Sequence, residues 1–259
     1  MNLLESKGIH KDFGGVKALS DVHLSVPDNV IMGLIGPNGA GKTTFFNVIS
    51  GILPVTAGDF YFKGKRLTGK RPFHITRSGI ARTFQNIQLF TGMTVFENVV
   101  AGRHIRTKAG LFRGIVGGGV VRHEERENKE KVDELLRFVH IETERDLPAD
   151  SLPYGKQRHV EIARALAVGP ELLLLDEPSA GMNPKETEDL MELITAIRKR
   201  GVTVLLIEHD MNLIMGICDR IAVLDYGKMI SEGTPEIIRN DEKVIEAYLG
   251  REEDYADLG

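Results

Sequence analysis

The chain has 259 residues, of which 42% are hydrophobic and 27% charged, with 28 Gly and 10 Pro; this is ordinary globular usage and excludes fibrous, collagen-like and wholly disordered classes. Lys and Arg number 33 against 37 Asp and Glu, a net charge of -4, and no basic block marks a nucleic-acid footprint, so nucleic acid is not an expected partner. The single cysteine, Cys218, excludes an intrachain disulfide and a cysteine-rich metal site and reads as a small buried apolar residue.

The start, Met1 to Gly8, lacks the basic and apolar regions of a secretory signal, and no apolar run reaches the roughly 18 residues that a membrane span needs. Ile9–Phe13 and Ala18–Val26 read as strands of an antiparallel layer joined by Gly14-Gly15. Val30–Ile35 is a short apolar strand leading through Gly-rich sequence into a helix over Lys42–Ile49. From Thr94 to Val139 the pattern turns helical, interrupted by the Gly-rich stretch Ala109–Gly119. The charged run His123–Lys131 then reads as the solvated face of a helix that buries Val132, Leu135, Leu136 and Val139.

Two further buried strands, Leu172–Leu175 and Val202–Ile207, bracket Lys185–Arg200, where Leu190, Leu193, Ile194 and Ile197 recur at helical spacing. Such alternation predicts βαβ units on a parallel sheet. The expected organisation is one domain: an α/β core from residues 1–85 and 159–235, an inserted helical subdomain over 86–158, and a helical tail over 236–259 whose end, Arg251–Gly259, is acidic. No internal repeat is visible.

Gly36-Pro-Asn38-Gly39-Ala40-Gly41-Lys42-Thr43-Thr44 fits the phosphate-loop pattern and falls between the predicted strand and helix, where the pattern has mechanical meaning. Its glycines let backbone N–H groups curl around phosphates, Lys42 reaches the β- and γ-phosphates, and Thr43 offers a hydroxyl to Mg2+. Downstream, the strand Leu172–Leu175 delivers Asp176 and Glu177 at the sheet edge where α/β folds place ligands. Asp176 is the candidate Mg2+ carboxylate and Glu177 the residue that polarises the attacking water.

With these residues in place the chain resembles the ATPase subunits of ATP-binding cassette (ABC) transporters over nearly its whole length. The resemblance implies an α/β P-loop NTPase (RecA-like) core with an N-terminal antiparallel β layer and an inserted α-helical subdomain, and ATP and Mg2+ as ligands. Phe13, with Val16 beside it, matches the aromatic that stacks on adenine. Gln85 in Arg82-Thr-Phe-Gln-Asn86 matches the Q-loop glutamine, a second candidate on the metal. Ser179–Asn183 resembles the D-loop, and His209 in Ile207-Glu-His-Asp210 matches the switch histidine.

The segment Leu152-Pro153-Tyr154-Gly155-Lys156 stands where the family writes LSGGQ, the signature that caps the γ-phosphate held by the other protomer. Pro153 occupies the serine position and supplies neither hydroxyl nor backbone N–H. The Gly155 amide and the helix dipole remain, so the expectation is a weaker partner site, unless Ser151 compensates by a register shift.

Met93–Asn98, Glu161–Leu166, Leu175–Pro184, Leu206–Met211 and Gly233–Asn240 with Tyr248-Leu-Gly250 resemble the branched-chain amino-acid (leucine, isoleucine, valine) importers more closely than cassettes in general, as does the insertion around Lys108–Glu127. Other amino acids, amides, urea-like solutes or lipopolysaccharide export are the alternatives. The resemblance implies a peripheral subunit on the cytoplasmic face of the inner membrane. Its partners would be two permease subunits, a sister ATPase, with a homodimer as the alternative, and indirectly an external solute-binding protein. Apolar residues near Gln85, Phe90 and Met93 would either dock a short permease helix or be core. A soluble cassette ATPase of DNA repair or translation would carry two cassettes or a long coiled coil. A small-molecule P-loop kinase has no use for Gln85, the signature and His209 together, and a non-hydrolysing switch has no use for Glu177 with His209.

Overall fold

The computed structural model describes residues 2–103 and 119–248. Strands β1 (Asn2–Phe13) and β2 (Val16–Pro27) pair antiparallel around the Gly14-Gly15 turn, both longer than the sequence suggested, and β4 (Ala57–Phe62) and β5 (Lys65–Arg66) extend them into a sheet ordered β2-β1-β4-β5. The second sheet holds six strands. It adds β3 (Ile31–Ile35), β6 (Ile80–Arg82), β7 (Leu172–Asp176), β8 (Thr203–Ile207), β9 (Arg220–Asp225) and β10 (Lys228–Gly233), in the order β10-β9-β3-β8-β7-β6. All its pairings are parallel except β9 with β10.

Strands β3, β7 and β8 are buried along their whole length, which is why they read as continuous apolar runs rather than alternating ones. Their alternate residues feed two cores. Ile31, Ile35, Leu173, Leu175, Val204 and Leu206 face the helices, while Met32, Leu34, Leu172, Leu174, Leu205 and Ile207 face the four-stranded sheet and helix α1 (Lys42–Ile49). Cys218 belongs to the helical-side core, and burial pushes its thiol up to about 12, so it behaves as an apolar filler.

The short helix α2 (Pro72–Arg77) precedes β6, and α3 (Val95–Arg103), α4 (Gly119–Phe138) and α5 (Tyr154–Ala167) make the helical flank. Nearly all of the Gly-rich stretch 109–119 and most of the 108–127 insertion lie outside the described residues. On α4, Val132 and Leu136 are buried, as is Val139 just beyond its end, whereas Leu135 is only partly so. Two features mark the ends of the helical flank. Residues 86–94 form a loop, organised by the buried Asn98, whose amide oxygen accepts from Phe90 N–H and whose NH2 donates to the Phe90 and Thr94 carbonyls. A boundary at Arg158 would also cut the continuous helix α5, which packs on α3, α4 and β6 alike.

Helix α6 (Pro184–Lys199) buries Leu190, Leu193, Ile194 and Ile197, and its start is fixed by a capping box in which Asn183 accepts from Lys185 and Glu186 N–H while Glu186 accepts from Asn183 N–H. Helix α7 (Met211–Ile217) follows β8, and α8 (Pro235–Arg239) and a helix over 242–248 return the chain to the core through Ile238 and Val244. The acidic stretch 251–259 lies outside the described residues.

Where α3 crosses α5, a Cβ on Gly102 would stand 2.2 Å from the Arg164 carbonyl. Gly102→Ala must push the two helices apart, and overpacking of this kind costs about 1–3 kcal/mol. Urea unfolding should show a lower midpoint; an unchanged midpoint would mean that the helices separate freely.

Candidate active site

Parallel register brings three strand ends to one edge. Leu34 of β3 and Asp176 of β7 both pair with Ile207 of β8, so the segments that follow, 36–44, 177–183 and 208–210, converge where open α/β sheets bind ligands.

Two glycines of the first segment are dictated by contact. Gly36 has φ +148°, and a Cβ there would lie 1.9 Å from the Leu224 carbonyl; Gly41 has φ +104°, and its Cβ would lie 2.6 Å from the Ala18 carbonyl. The loop therefore runs against β9 and β2 with no room for side chains. Asn38, Gly39 and Thr43 are exposed, Thr44 is half-buried, and Ala40 is buried. Lys42 is buried and curls back, its Nζ donating to the Gly36 carbonyl at 2.6 Å and the Pro37 carbonyl at 3.0 Å. Such a cation, held by two loop carbonyls at a helix start, is suited to polyphosphate. Tyr248 also reaches this loop: the Gly36 backbone hydrogen-bonds its phenol, while burial raises the phenol's pKa.

Gln85, Glu177 and His209 meet. The Gln85 amide donates to one Glu177 oxygen at 2.7 Å, and His209 Nε2 lies 2.8 Å from the other, placing the N–H of the ring on that nitrogen. Glu177 itself has φ +46°, a left-handed backbone costly for a residue with a Cβ, and its N–H donates to the Ile207 carbonyl at 2.9 Å. The carboxylate is thereby lifted off the strand end and held between an amide and an imidazole, oriented as a general base on water would need.

Asp176 precedes it, buried, with Oδ2 accepting from Arg82 Nη2 at 2.8 Å and Oδ1 buried without a hydrogen-bond partner among the described residues. An orphaned carboxylate oxygen suits a hydrated Mg2+. Gln85 uses its NH2 on Glu177, which leaves its carbonyl oxygen for a cation, and Thr43 offers an exposed hydroxyl at the start of α1. Among the described residues no group of three or more His, Cys, Asp or Glu could hold a metal by itself, so a cation here would lean on phosphate oxygens and water as well. The residues fit.

The other predicted residues lie apart. Phe13 and Val16 are exposed at the β1–β2 turn, Phe13 beneath the Lys11 ammonium at 4.8 Å. Leu152–Lys156 belong to the start of α5, where Pro153 stands at the N-cap without a capping side chain and Tyr154 begins the helix. Gly155 packs so closely on the Glu186 carboxylate that a Cβ would come within 2.8 Å of it, Tyr154 lies against Gly181, and Lys156 is paired with Glu144. The Ser151 hydroxyl donates to the Pro148 carbonyl at 2.7 Å within its own turn, so it does not stand in for the missing serine.

Several supporting residues escaped the sequence reading. Glu208, buried between the strand end and His209, accepts from Ser179 N–H at 2.7 Å and His209 N–H at 3.0 Å, tying the second and third segments together. Arg158, fully buried, donates to the Phe84 and Gln85 carbonyls and to Glu161, which in turn accepts from Phe84 N–H. A charged residue inside an otherwise helical apolar face was the available signal.

Comparison with known proteins agrees with this geometry. Residues 19–180 match the family profile described as "ABC transporter", and residues 228–254 match "Branched-chain amino acid ATP-binding cassette transporter". The chain is 44% identical over 96% of its length to "High-affinity branched-chain amino acid transport ATP-binding protein LivG" of Salmonella typhimurium, covering 98% of that protein. It is 36% identical to "Lipopolysaccharide export system ATP-binding protein LptB" of Haemophilus influenzae, over 97% of this chain and 99% of that one. Among solved structures, a nucleotide-free ATP-binding cassette from an ABC transporter superposes with a TM-score of 0.84 at 35% identity, covering 96% of this chain and 99% of that one. An ADP conformation of an ATP-binding cassette gives 0.84 at 33% identity with the same coverage.

One group near the signature segment reports on packing. His159, mostly buried on α5, donates Nδ1–H to the Val139 carbonyl at 2.8 Å, and desolvation holds its pKa below the usual imidazole value. A base with a depressed folded pKa leaves stability undiminished above its unfolded pKa, about 6.5, and lowers it as pH falls below that value. Chemical unfolding between pH 8 and pH 5 should therefore show a decline that is shallower in His159→Gln; equal declines would remove His159 as the cause.

Proposed function

The chain belongs to the ABC transporter family as an ATPase, and from that premise we propose that it energises uptake of branched-chain amino acids as the peripheral, cytoplasmic-face subunit of a membrane permease. The observation that carries the hydrolytic part is the Glu177 carboxylate held between Gln85 and His209 beside a phosphate loop. The substrate class rests on the names of the relatives and on the 228–254 match, which favours amino-acid import over lipopolysaccharide export. No helix among the described residues is long and apolar enough to cross a membrane, so permease subunits would supply the path.

In this reading Phe13 stacks on adenine with Val16 beside it, while the N–H groups of residues 36–44 and Lys42 bind the β- and γ-phosphates. Thr43, Asp176 and Gln85 would hold Mg2+, whose charge would offset that of the transferring phosphoryl group. Glu177 orients the attacking water and takes its proton, and His209 and Gln85, which can bond either the carboxylate or a phosphate oxygen, keep both reactants in line. Leu152–Lys156 face the nucleotide of a partner cassette through the Gly155 amide and the start of α5, so two chains close around ATP and reopen after hydrolysis. A sister ATPase is the expected partner, a second copy the alternative.

A groove of about 310 Å3 lined by Ile52, Phe84, Phe90, Gly102, Glu161 and Arg164 is where a permease helix would dock. Phe90 is half exposed there, and Arg164 stacks over its ring at 5.3 Å. The Q segment runs past this groove into Gln85, giving docking and hydrolysis a common strand of chain.

Glu177→Gln should lower Mg2+-dependent ATP hydrolysis by at least about 100-fold with ATP binding retained; turnover close to that of the parent would exclude Glu177 as the base. Pro153→Ser restores a hydroxyl, and a charge-assisted hydrogen bond is worth about 1.5–3 kcal/mol. In the assembled transporter it should tighten the apparent ATP affinity by about tenfold, and an unchanged affinity would show that the proline weakens nothing.

A further inference from the structure

The Asp176 carboxylate is only as well placed as its surroundings make it, and one side chain dominates them. Arg82 leaves the edge strand β6 and reaches under the end of β7, where its Nη2 donates to Asp176 Oδ2 at 2.8 Å. Its Nη1 donates at 2.8 Å both to the Asn47 amide oxygen and to the Ser50 hydroxyl, at the C-terminal end of α1. The guanidinium also lies near two rings, 5.6 Å from the Phe46 centroid and 5.2 Å from that of Phe84. Both partners of the ion pair are nearly fully buried.

As a stability device this is expensive, because a buried ion pair seldom outperforms an apolar pair of the same size. The distribution of contacts is also lopsided. The fork spends one arm on the carboxylate and the other on two neutral oxygens, so Oδ1 of Asp176 is left with no hydrogen-bond partner among the described residues. A carboxylate with one oxygen clamped cannot rotate to close both oxygens on a cation. It offers a single oxygen in a fixed direction.

We propose that Arg82 is the positioning residue for the metal-side carboxylate: it pins Oδ2 of Asp176, is itself pinned by Asn47 and Ser50, and so presents Oδ1 as a one-oxygen ligand. The inference rests on the reading of Asp176 as the Mg2+ carboxylate. Lysine cannot replace the guanidinium, because a single ammonium cannot hold Asp176 along one arm and Asn47 and Ser50 along the other.

The test uses the full chain, a non-hydrolysable ATP analogue, and Mn2+ followed by electron paramagnetic resonance, with nucleotide binding in excess chelator measured separately. In Arg82→Lys, Mn2+ affinity of the nucleotide complex should fall about tenfold while nucleotide affinity in chelator stays within about twofold of the parent. Asn47→Ala removes one anchor of the fork and should move metal affinity the same way by a smaller factor. It decides the matter if Arg82→Lys does not fold. Unchanged Mn2+ affinity in the folded variants, or an equal loss of nucleotide affinity in chelator, overturns the proposal. Failure of the parent's nucleotide complex to bind Mn2+ would instead sink the metal reading itself.

Discussion

A carboxylate that ends a buried β-strand ordinarily lies along the sheet edge, yet one that activates water must stand off it with both oxygens directed. The left-handed backbone at Glu177, φ +46°, resolves that conflict. It is sustained by the hydrogen bond from Glu177 N–H to Ile207 and by the amide and imidazole that grip the side chain. Strain of this kind, about 1–3 kcal/mol, persists only where the surroundings over-determine it, and here three strands do so. Parallel pairing of β7 with β8 and of β8 with β3 fixes the heights at which Glu177, His209 and the phosphate loop emerge.

Around that edge the buried charges form a second framework. Glu208 binds the backbone of Ser179 and His209, Arg82 binds Asp176 to the end of α1, and Arg158 binds the carbonyls of Phe84 and Gln85 to α5. Each joins two segments that carry a functional side chain. Arg158 lies one turn past Tyr154 on α5, so its hydrogen bonds tie the Gln85 segment to that helix.

Much of this was legible before any coordinates. The runs Val30–Ile35, Leu172–Leu175 and Val202–Ile207 announced a doubly covered parallel sheet because residues buried on both faces leave no alternation, and α1 and α6 began and ended within a residue of expectation. The phosphate-loop pattern and the Asp176-Glu177 pair are legible from short spacings, Gln85 and His209 only through the family resemblance, and the structure brings Gln85, Glu177 and His209 together at one sheet edge. What stayed hidden depends on distance in three dimensions. Arg82 and Asp176 are 94 positions apart, and Arg158 and Gln85 are 73 apart, so no local pattern relates them. Residues 86–94, ahead of the helical pattern that begins at Thr94, form a loop whose backbone is held by the Asn98 amide rather than by an i to i+4 ladder. Helix α5 runs on past Arg158 and packs on α3, α4 and β6, contacts that no local pattern announces.

The proposed nucleotide site joins segments 36–44, 176–179 and 208–210 at the carboxyl edge of the six-stranded sheet with the β1–β2 turn, residues 13–16. Hydrogen–deuterium exchange of Glu177→Gln, with and without Mg2+ and ATP, tests it most directly. The account predicts slowed exchange in all four segments together, with little change in β4 and β5. Protection confined to other segments, or of the phosphate loop without residues 208–210, would contradict it.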